Sequence, residues 1–391
     1  MDKKNTRPNI PEQIQRELWA RAAGRCEFRG CNKLLYKDSL TQKRANLAVI
    51  SHIVAYSSNG PRGDIVRSQQ LEKDISNLML TCRDHGKIID DKEREIEYPE
   101  ELLLEFKREH ELRIRMLTEA KEDAQTYVLL LQVPIDKHPI RIDQAVAFRA
   151  ILPKYPAEEM ATVIDLNGMT IPTASAGFFQ VAVQSITEQT RRYLHNRFDK
   201  MNIKNLAVFA LAPVPLLIYF GYLLGDIDHV DLFQRHRDSQ NWIWKDEAET
   251  EEGKKFYKIF SPETTFDSRR KIALLLSVSN LVKRSEVEAT LGEEPLVYEI
   301  RAEEPGLDFF ESRKRLEAFG YEVRKLLESL RVTYDHTCEI HLFAAVPSPA
   351  AIEFGRHIQA HHPLFLVYEY QKATRVHLPA LQVNIHSREQ I

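Results

Sequence analysis

The sequence predicts a chain of two parts, a small α+β domain built around metal and a larger α/β domain behind it. Three of the four cysteines lie before residue 83, which places metal chemistry near the N-terminus. After residue 126, strand-like apolar runs alternate with helix-length amphipathic segments, a pattern typical of α/β folds with largely parallel sheets. The charge distribution also separates a basic first part from an acidic remainder.

Composition limits the class of protein. A chain of 391 residues, 43% hydrophobic and 28% charged, can bury two or three ordinary domains. Four cysteines are too few for a disulfide scaffold and fit metal binding in the cytosol. The polar first residues lack a secretion signal, and Pro213 and Pro215 interrupt the longest apolar run, Leu206–Leu224. We therefore expect a soluble cytoplasmic protein without a membrane span.

The net charge of −3 is unevenly spread along the chain. Residues 1–89 contain 16 Lys and Arg against 9 Asp and Glu, a local net charge of +7, which leaves −10 for the rest. Basic surfaces bind nucleic acid through phosphate contacts, although solvated basic helices are common. The coincidence with the cysteine cluster favours a nucleic-acid partner for the first part.

The first part is expected to contain two short strands and a helix around metal, with flanking helices. The elements expected in chain order are a helix from Pro11, a strand over Leu47–Val54, a strand over Asn77–Thr81 and a long helix from Pro99. This domain is predicted over residues 1–120. Residues 121–126 are predicted to be a linker, and the second domain is predicted over residues 127–391.

Cys26, Cys31, Cys82 and His85 have the spacing of a structural zinc site. Thiolates and imidazole suit zinc, and two close ligand pairs can clamp a domain that has little core of its own. Buried thiols are the alternative explanation. The clustering of three cysteines with a histidine at the right spacing favours zinc.

His52 lies at the end of the first predicted strand, inside the interval that the cysteines bracket. Hydrolysis of DNA needs a base that deprotonates water near neutral pH and a divalent cation, for which we expect Mg²⁺ or a similar ion. His52 is the candidate base, and Asn77 is a candidate to orient it or to hold the ion. A lone histidine beside isoleucine is more often a core residue, and its position between the cysteines is what favours catalysis.

Residues 26–90 resemble the HNH endonuclease family, through Cys-x4-Cys, Ser-His-Ile, Gly-Pro-Arg-Gly, Ser-Asn-Leu and Cys-x-x-His-x-x-Ile-Ile-Asp. The resemblance implies a ββα-metal fold, a catalytic divalent ion, His52 as general base and Asn77 as the middle asparagine.

Two positions depart from the family pattern: Ser51 stands where many members have an acidic ion ligand, and Gly86 where many have histidine. Two assignments of His85 therefore stay open. Either His85 is catalytic and His110 completes the zinc site, or His85 binds zinc and an acidic residue, Asp84, Asp90 or Asp91, helps to hold the ion. The second assignment is preferred, with Asp90 as a predicted ligand.

The second part contains strand-like runs and an internal repeat. The predicted strands are Tyr127–Val133, Ala161–Leu166, Phe179–Ser185, Leu206–Leu211, Ile272–Ser277, Cys338–Ala345, Leu364–Tyr370 and Leu381–Ile385. The segment Phe209–Gly221 recurs as Phe343–Gly355, with seven identities in thirteen positions. A duplicated strand–turn–helix unit predicts two fused Rossmann-like lobes, with a ligand site at the carboxyl ends of the strands between them. Chance similarity between βα turns is the alternative.

The second part also resembles the SAVED sensor domain of bacterial CBASS anti-phage effectors, a CARF-like bilobed fold. The resemblance implies binding of a cyclic oligonucleotide second messenger, with a homo-oligomer that grows when the ligand binds and activates the nuclease. A cyclic dinucleotide presents bases and phosphates, so its pocket requires flat aromatic side chains and cations together. The candidate ligand-binding residues are Lys154, Tyr155, Arg235, Arg237, Trp242 and Trp244.

The preferred function is that of a cyclic-oligonucleotide-activated, metal-dependent endonuclease of double-stranded DNA, acting in anti-phage defence. A first alternative is a restriction-type endonuclease whose second part recognises modified DNA. The acidic charge of that part argues against broad DNA contact there. A second alternative is a zinc-knuckle binding module without catalysis, which the residues at positions 51 and 86 favour.

Overall fold

The structure is a computed structural model that divides into two compact units, Met1–Ala120 and Lys121–Ile391. The residues it describes are 9–119, 124–136, 138–173, 175–193, 204–245, 255–262, 271–306, 309–334 and 338–384. None of the helices in these ranges combines the length and the apolar character that a membrane crossing needs.

The first unit contains an antiparallel hairpin followed directly by a helix. Its elements are α1 (Glu12–Arg21), β1 (Ala48–His52), α2 (Arg67–Leu71), β2 (Leu78–Cys82), α3 (Arg83–Ile89) and α4 (Glu100–Thr118). Ala48 pairs with Cys82 and His52 with Leu78, so the two strands run side by side over their whole length. Pro11 and Pro99 lie immediately before α1 and α4, where the fixed φ of proline suits a helix start.

Two small apolar clusters pack on opposite faces of this hairpin. Alternate residues of β2 point to opposite faces, so Leu80 joins one cluster with Leu18 and Leu35, while Met79 joins the other with Leu103 and Phe106. The thiols of Cys26 and Cys82 belong to the first cluster. A core of this size contributes little stability by itself, which is the situation in which small domains use metal.

The second unit contains two parallel-rich sheets. Its elements are β3 (Gln125–Gln132), α5 (Gln144–Ala150), β4 (Tyr155–Pro156), β5 (Thr162–Asp165), α6 (Ala176–Thr190), β6 (Asn205–Leu211), α7 (Val214–Leu224), β7 (Val230–Phe233), β8 (Tyr257–Phe260), β9 (Ile272–Ser277), α8 (Arg284–Leu291), β10 (Leu296–Ala302), α9 (Arg313–Thr333), β11 (Glu339–Ala345), α10 (Ser348–Arg356), β12 (Leu364–Gln371) and β13 (Val376–Val383). The first sheet has the order β4-β3-β6-β7, with β5 also paired to β3, and the second has the order β13-β12-β11-β9-β10-β8.

Several predicted elements of this unit differ from the observed ones. Phe179–Ser185 is not a strand but part of α6, because Phe178, Ala182 and Ile186 repeat every four residues and form one buried helical face. The predicted linker overlaps β3, which already begins at Gln125. The strand β10 was not expected from the sequence, and Ile385, the last residue of the final predicted strand, lies outside the described residues.

The internal repeat corresponds to two equivalent strand–helix units that pack on each other. The first copy forms β6 and α7, and the second forms β11 and α10. A Cβ at Gly221 would lie 2.1 Å from the carbonyl oxygen of Ile352, and a Cβ at Gly355 would lie 2.0 Å from that of Ile218. These two contacts exchange under the 134-residue repeat, so α7 and α10 cross around a local pseudo-twofold axis. Only glycine permits so close an approach of two helix backbones.

Candidate functional site

Cys26, Cys31, Cys82 and His85 converge at the end of the hairpin where β2 meets α3. Their ligand atoms all lie within 4.8 Å of one another. The Nδ1 atom of His85 is 3.1 Å from Sγ of Cys82 and 3.7 Å from Sγ of Cys26. In a tetrahedral zinc site with bonds of about 2.0–2.3 Å, neighbouring ligand atoms lie about 3.5–3.8 Å apart. The side chains present therefore fit a zinc ion with small adjustments.

The surroundings of these ligands affect the protonation and the orientation of each of them. Burial raises the pKa of the Cys26 thiol, and the thiolate becomes the stable form only when a cation is bound to it. The backbone amide of Cys82 donates to Sγ of Cys26 at 3.3 Å. Burial lowers the pKa of His85, which keeps its imidazole neutral and able to bind metal. Phe28 stacks on His85 with a centroid distance of 4.1 Å and fixes the plane of its ring.

His110 lies apart from this cluster. Its Nε2 atom is 3.1 Å from the carbonyl of Ala22, and Arg113 donates to its Nδ1 atom at 2.9 Å. His110 is thus engaged in packing α4 against the end of α1. Of the two assignments left open by the sequence, the geometry favours the one in which His85 belongs to the zinc set.

His52 occupies the opposite end of the hairpin and is nearly covered. Its side chain is 4% exposed, and its Nε2 atom lies 2.9 Å from the carbonyl oxygen of Glu72. Because a carbonyl can only accept, Nε2 carries the proton and Nδ1 carries the lone pair in the neutral imidazole. The ring of Tyr56 lies edge-on to His52 at 5.4 Å. His52 is therefore held in one tautomer beneath the segment that follows β1.

The side chain of Asn77 binds the segment that follows β1 to the start of β2. Its Oδ1 atom accepts from the amide of Val54 at 2.7 Å, and its Nδ2 group donates to the carbonyls of Val54 at 2.9 Å and Leu71 at 3.2 Å. The side chain is 3% exposed. These bonds give Asn77 a positioning role in the loop, which differs from the predicted contact with His52 or with an ion.

Arg62, in the Gly-Pro-Arg-Gly loop, is a structural residue that the sequence did not single out. Its guanidinium donates to the carbonyls of Ile53 at 2.6 Å, Ile89 at 2.7 Å and Tyr98 at 3.2 Å. It thereby connects the residue after His52 with the end of α3. Asp90, the predicted ion ligand, follows Ile89, is exposed, and acts electrostatically on Arg62. An acidic side chain is thus present at the His52 end of the unit.

The two positions that the family pattern gives to a catalytic ion are closed in this chain. The hydroxyl of Ser51 is 3.0 Å from that of Thr81, and both side chains are fully buried. A Cβ at Gly86 would lie 3.1 Å from the hydroxyl of Thr81 and 3.2 Å from that of Ser51. Positions 51 and 86 are therefore neighbours in space, as the pattern requires, but a hydroxyl pair fills the place between them. These residues do not fit a divalent ion.

The six predicted ligand-binding residues are distributed around the first sheet of the second unit. Tyr155 pairs with Gln125 at the amino end of β3, whereas Arg235 and Arg237 follow the carboxyl end of β7, at the other edge of the same sheet. The ammonium of Lys154 lies 2.6 Å from the carboxylate of Asp231. Lys154 and Tyr155 are thus placed by β4, whereas Arg235 and Arg237 follow β7, and a single ligand site formed by all six residues stays a prediction.

The two tryptophans have different environments. Trp242 is 2% exposed and packs edge-on against Phe209 at 5.3 Å, so it is a core aromatic and cannot stack on a base. Trp244 is half-buried beside His236, and its Nε1–H group has no hydrogen-bond partner among the described residues. The sequence could not distinguish these two, because both follow the same strand.

Each sheet has one point at which the strand order reverses. In the first sheet, β3 has β5 on one side and β6 on the other; in the second, β9 has β10 on one side and β11 on the other. Ligands of such sheets bind at the carboxyl ends of the strands beside this point. Burial, assisted by the charge of Asp136, raises the pKa of Glu369 to about 7. Asp136 follows β3 of the first lobe, and Glu369 lies near the end of β12 of the second.

This architecture of two fused Rossmann-like lobes defines a bilobed α/β domain. The model of the family described as SMODS-associated and fused to various effectors sensor domain, SAVED, matches residues 186–383, just over half of the chain. The chain belongs to this family. A comparison with curated proteins finds no match.

Several solved structures resemble the chain at low identity. The Acinetobacter baumannii Cap4 SAVED/CARF-domain receptor with the cyclic trinucleotide 2'3'3'-cAAA has 11% identity and a TM-score of 0.46, over 83% of this chain and 63% of that one. The same receptor with 3'3'3'-cAAA has 10% identity and a TM-score of 0.45, over 83% and 72%. The Moraxella osloensis receptor has 10% identity and a TM-score of 0.42, over 76% and 60%. The chain thus spans less than two thirds of the first of these receptors.

Proposed function

We propose that the chain is a cyclic-oligonucleotide-activated endonuclease of double-stranded DNA that acts in anti-phage defence. Its SAVED part is the sensor, and residues 1–120 are an HNH-type effector braced by structural zinc. The observation that carries the proposal is the convergence of three thiols and an imidazole on a ββα unit that holds His52 at its other end. A unit of this kind joined to a sensor domain supports a ligand-controlled nuclease.

The ligand site of the sensor is proposed at the carboxyl edges of the two lobes. Each sheet has its strand-order reversal, and the glycine contacts pack α7 against α10. A ligand that bridges the edges would change the relation between two lobes that share one apolar core. We propose a cyclic dinucleotide or trinucleotide as this ligand, and a larger homo-oligomer as the active form.

In the effector, His52 is proposed as the general base through the lone pair of Nδ1. The carbonyl of Glu72 holds the tautomer in which Nε2 carries the proton, and proton transfer to a positioned histidine contributes about 10²–10⁴-fold to rate. A bound divalent ion such as Mg²⁺ would neutralise the scissile phosphate, and Asp90 is the residue we assign to it. Because His52 is almost covered, the segment that follows β1 has to open before DNA reaches it. A closed centre is what a nuclease that awaits its activator requires.

A non-catalytic DNA-binding effector is the second candidate. The hydroxyl pair between positions 51 and 86 favours it, because neither residue can supply a carboxylate or an imidazole to an ion. In this case the activated protein would bind DNA without cleaving it.

The test mixes zinc-loaded protein and supercoiled plasmid with Mg²⁺ or Mn²⁺ and a panel of cyclic dinucleotides and trinucleotides. We expect nicking or linearisation with at least one nucleotide, together with a rise in particle mass by light scattering. Cleavage that no nucleotide changes would favour the restriction-type alternative. Retention of intact plasmid in a nucleotide-dependent complex would favour the second candidate.

The matched variants are His52→Ala and His361→Ala, the latter at an exposed histidine of the second unit. We expect His52→Ala to lower cleavage by about 10²–10⁴-fold, while zinc content and nucleotide-induced assembly stay the same. His361→Ala should cleave like the wild type. Unaltered cleavage by His52→Ala would remove His52 from the mechanism.

A further inference from the structure

Residues 37–44 form a short, tightly bonded hairpin on the first unit, which we name the basic hairpin. Lys37 and Arg44 form an antiparallel bridge at its base, and the amide of Asp38 donates to the carbonyl of Lys43 at 2.9 Å. The carboxylate of Asp38 accepts from the amides of Leu40 and Thr41, at 3.2 and 2.8 Å, and from the Thr41 hydroxyl at 2.9 Å. The tip is therefore held in one conformation by its own bonds.

The base of the basic hairpin is attached to the zinc cluster. Leu35 is fully buried in the apolar cluster that includes Cys26 and Cys82. The amide of Leu35 donates to the carbonyl of Gly24 at 2.9 Å, and the amide of Cys26 donates to the carbonyl of Lys33 at 3.0 Å. The base of the hairpin is thus bonded to the segment that carries Cys26.

Leu40 stands at the tip with 91% of its surface exposed. The cations Lys37, Lys43 and Arg44 flank it, and no acidic side chain of the described residues forms an ion pair with them within 4.0 Å. The carboxylate of Asp38 is already occupied by the bonds of the turn. An apolar tip between unpaired cations matches a polyanion that also offers an apolar interior, as stacked base pairs do.

We propose that the basic hairpin enters the minor groove of double-stranded DNA, with Leu40 wedged at a base step and the three cations on the flanking phosphates. Leucine is among the side chains that proteins insert between base steps, and neighbouring Lys and Arg bind the backbone. This proposal builds on the proposed function, because it specifies how the effector grips its DNA. It concerns binding and does not depend on cleavage.

The test measures binding of full-length, zinc-loaded protein to a labelled duplex in Mg²⁺-free buffer, with and without the nucleotide panel. Anisotropy is recorded over a salt series, and 2-aminopurine at an A·T step reports unstacking. In Lys43→Gln/Arg44→Gln, we expect affinity about tenfold lower and a log–log salt slope shallower by about 2. Leu40→Ser should keep the salt slope of the wild type but lose the 2-aminopurine signal and about fivefold in affinity.

A charge-matched control is Arg16→Gln/Arg108→Gln, which removes two exposed cations from helices of the same unit. Its affinity and salt slope should match the wild type. If the hairpin variants bind like this control, the hairpin is not the contact, although DNA binding by the wild type would leave the proposed function standing. If the wild type binds no duplex DNA under any of these conditions, the proposed function and the hairpin proposal both fail. Equal affinity for a double-stranded RNA would also overturn the minor-groove proposal.

Discussion

The two ends of the β1–β2 hairpin differ in how much of their chemistry is assembled. At one end, four ligand atoms from two separate segments lie within 4.8 Å of one another. At the other end, His52 is covered, and the neighbouring positions 51 and 86 are occupied by a buried serine and a glycine. The side chains at the first end fit a zinc ion with small adjustments, whereas the side chain at the other end is covered. The difference shows that one fold can assemble a set of metal ligands at one end of a hairpin and cover a histidine at the other.

The largest expected effect is at the zinc end. Cys82→Ser removes a thiolate from the set, and structural zinc contributes about 10–16 kcal/mol of apparent binding free energy. We expect loss of bound zinc and of hydrogen-exchange protection across residues 9–119, with the second unit unchanged. Cys338→Ser is the matched control, since Cys338 lies outside the cluster, and it should keep one zinc per chain. Zinc retained in Cys82→Ser at wild-type affinity would contradict the assigned ligands.

A smaller loss of stability is expected when Asn77, which binds the segment that follows β1, is replaced. Asn77→Ala leaves the amide and carbonyl of Val54 and the carbonyl of Leu71 without their side-chain partner. Buried groups left unbonded cost about 1–3 kcal/mol each, so unfolding of the first unit should become easier by about 3 kcal/mol. Thermal denaturation measures this, with the exposed Asn59→Ala as the control that should change stability little. A loss of zinc in Asn77→Ala without a loss of stability would contradict this, because it would couple the His52 end of the hairpin to the metal ligands at the other end.

Arg62→Lys is expected to act in the same region with a lower magnitude. A lysine retains one of the bonds that the guanidinium makes to Ile53, Ile89 and Tyr98, because an ammonium cannot span the planar fork. We expect a loss of about 2 kcal/mol in the stability of the first unit. Arg83→Lys, at an exposed position of α3, is the conservative control. Equal stability of the two variants would mean that the guanidinium bonds do not hold the end of α3.

Sequence spacing was sufficient for features that depend on local chemistry. The spacing of two close ligand pairs predicts that Cys26, Cys31, Cys82 and His85 come together. The repeat at Phe209 and Phe343 predicts two similar lobes. The pocket of the sensor could not be found in this way. Lys154 precedes β4 and Arg235 follows β7, and only the parallel pairing shows that one lies at the amino ends and the other at the carboxyl ends of the strands.

Burial was the second property that spacing could not supply. Asn77 and Arg62 lie in motifs that resemble a catalytic site, yet their side chains bind backbone carbonyls and amides. Trp242 is a residue type that can stack on bases, but its ring packs against Phe209 in the core. In each case the partner is distant in sequence, so the role becomes visible only when the chain is folded.

The smallest expected effect tests whether the closed positions take part in catalysis. Ser51→Ala removes one buried hydroxyl, and its partner Thr81 keeps a bond to the carbonyl of Val49 at 3.2 Å. We therefore expect a loss of only about 1 kcal/mol in stability, with unchanged zinc content and unchanged cleavage by the activated protein. If cleavage instead falls as far as in His52→Ala, the serine hydroxyl contributes to the reactive centre after it opens. The two ends of the hairpin would then both be metal sites, one assembled from the start and one formed on activation.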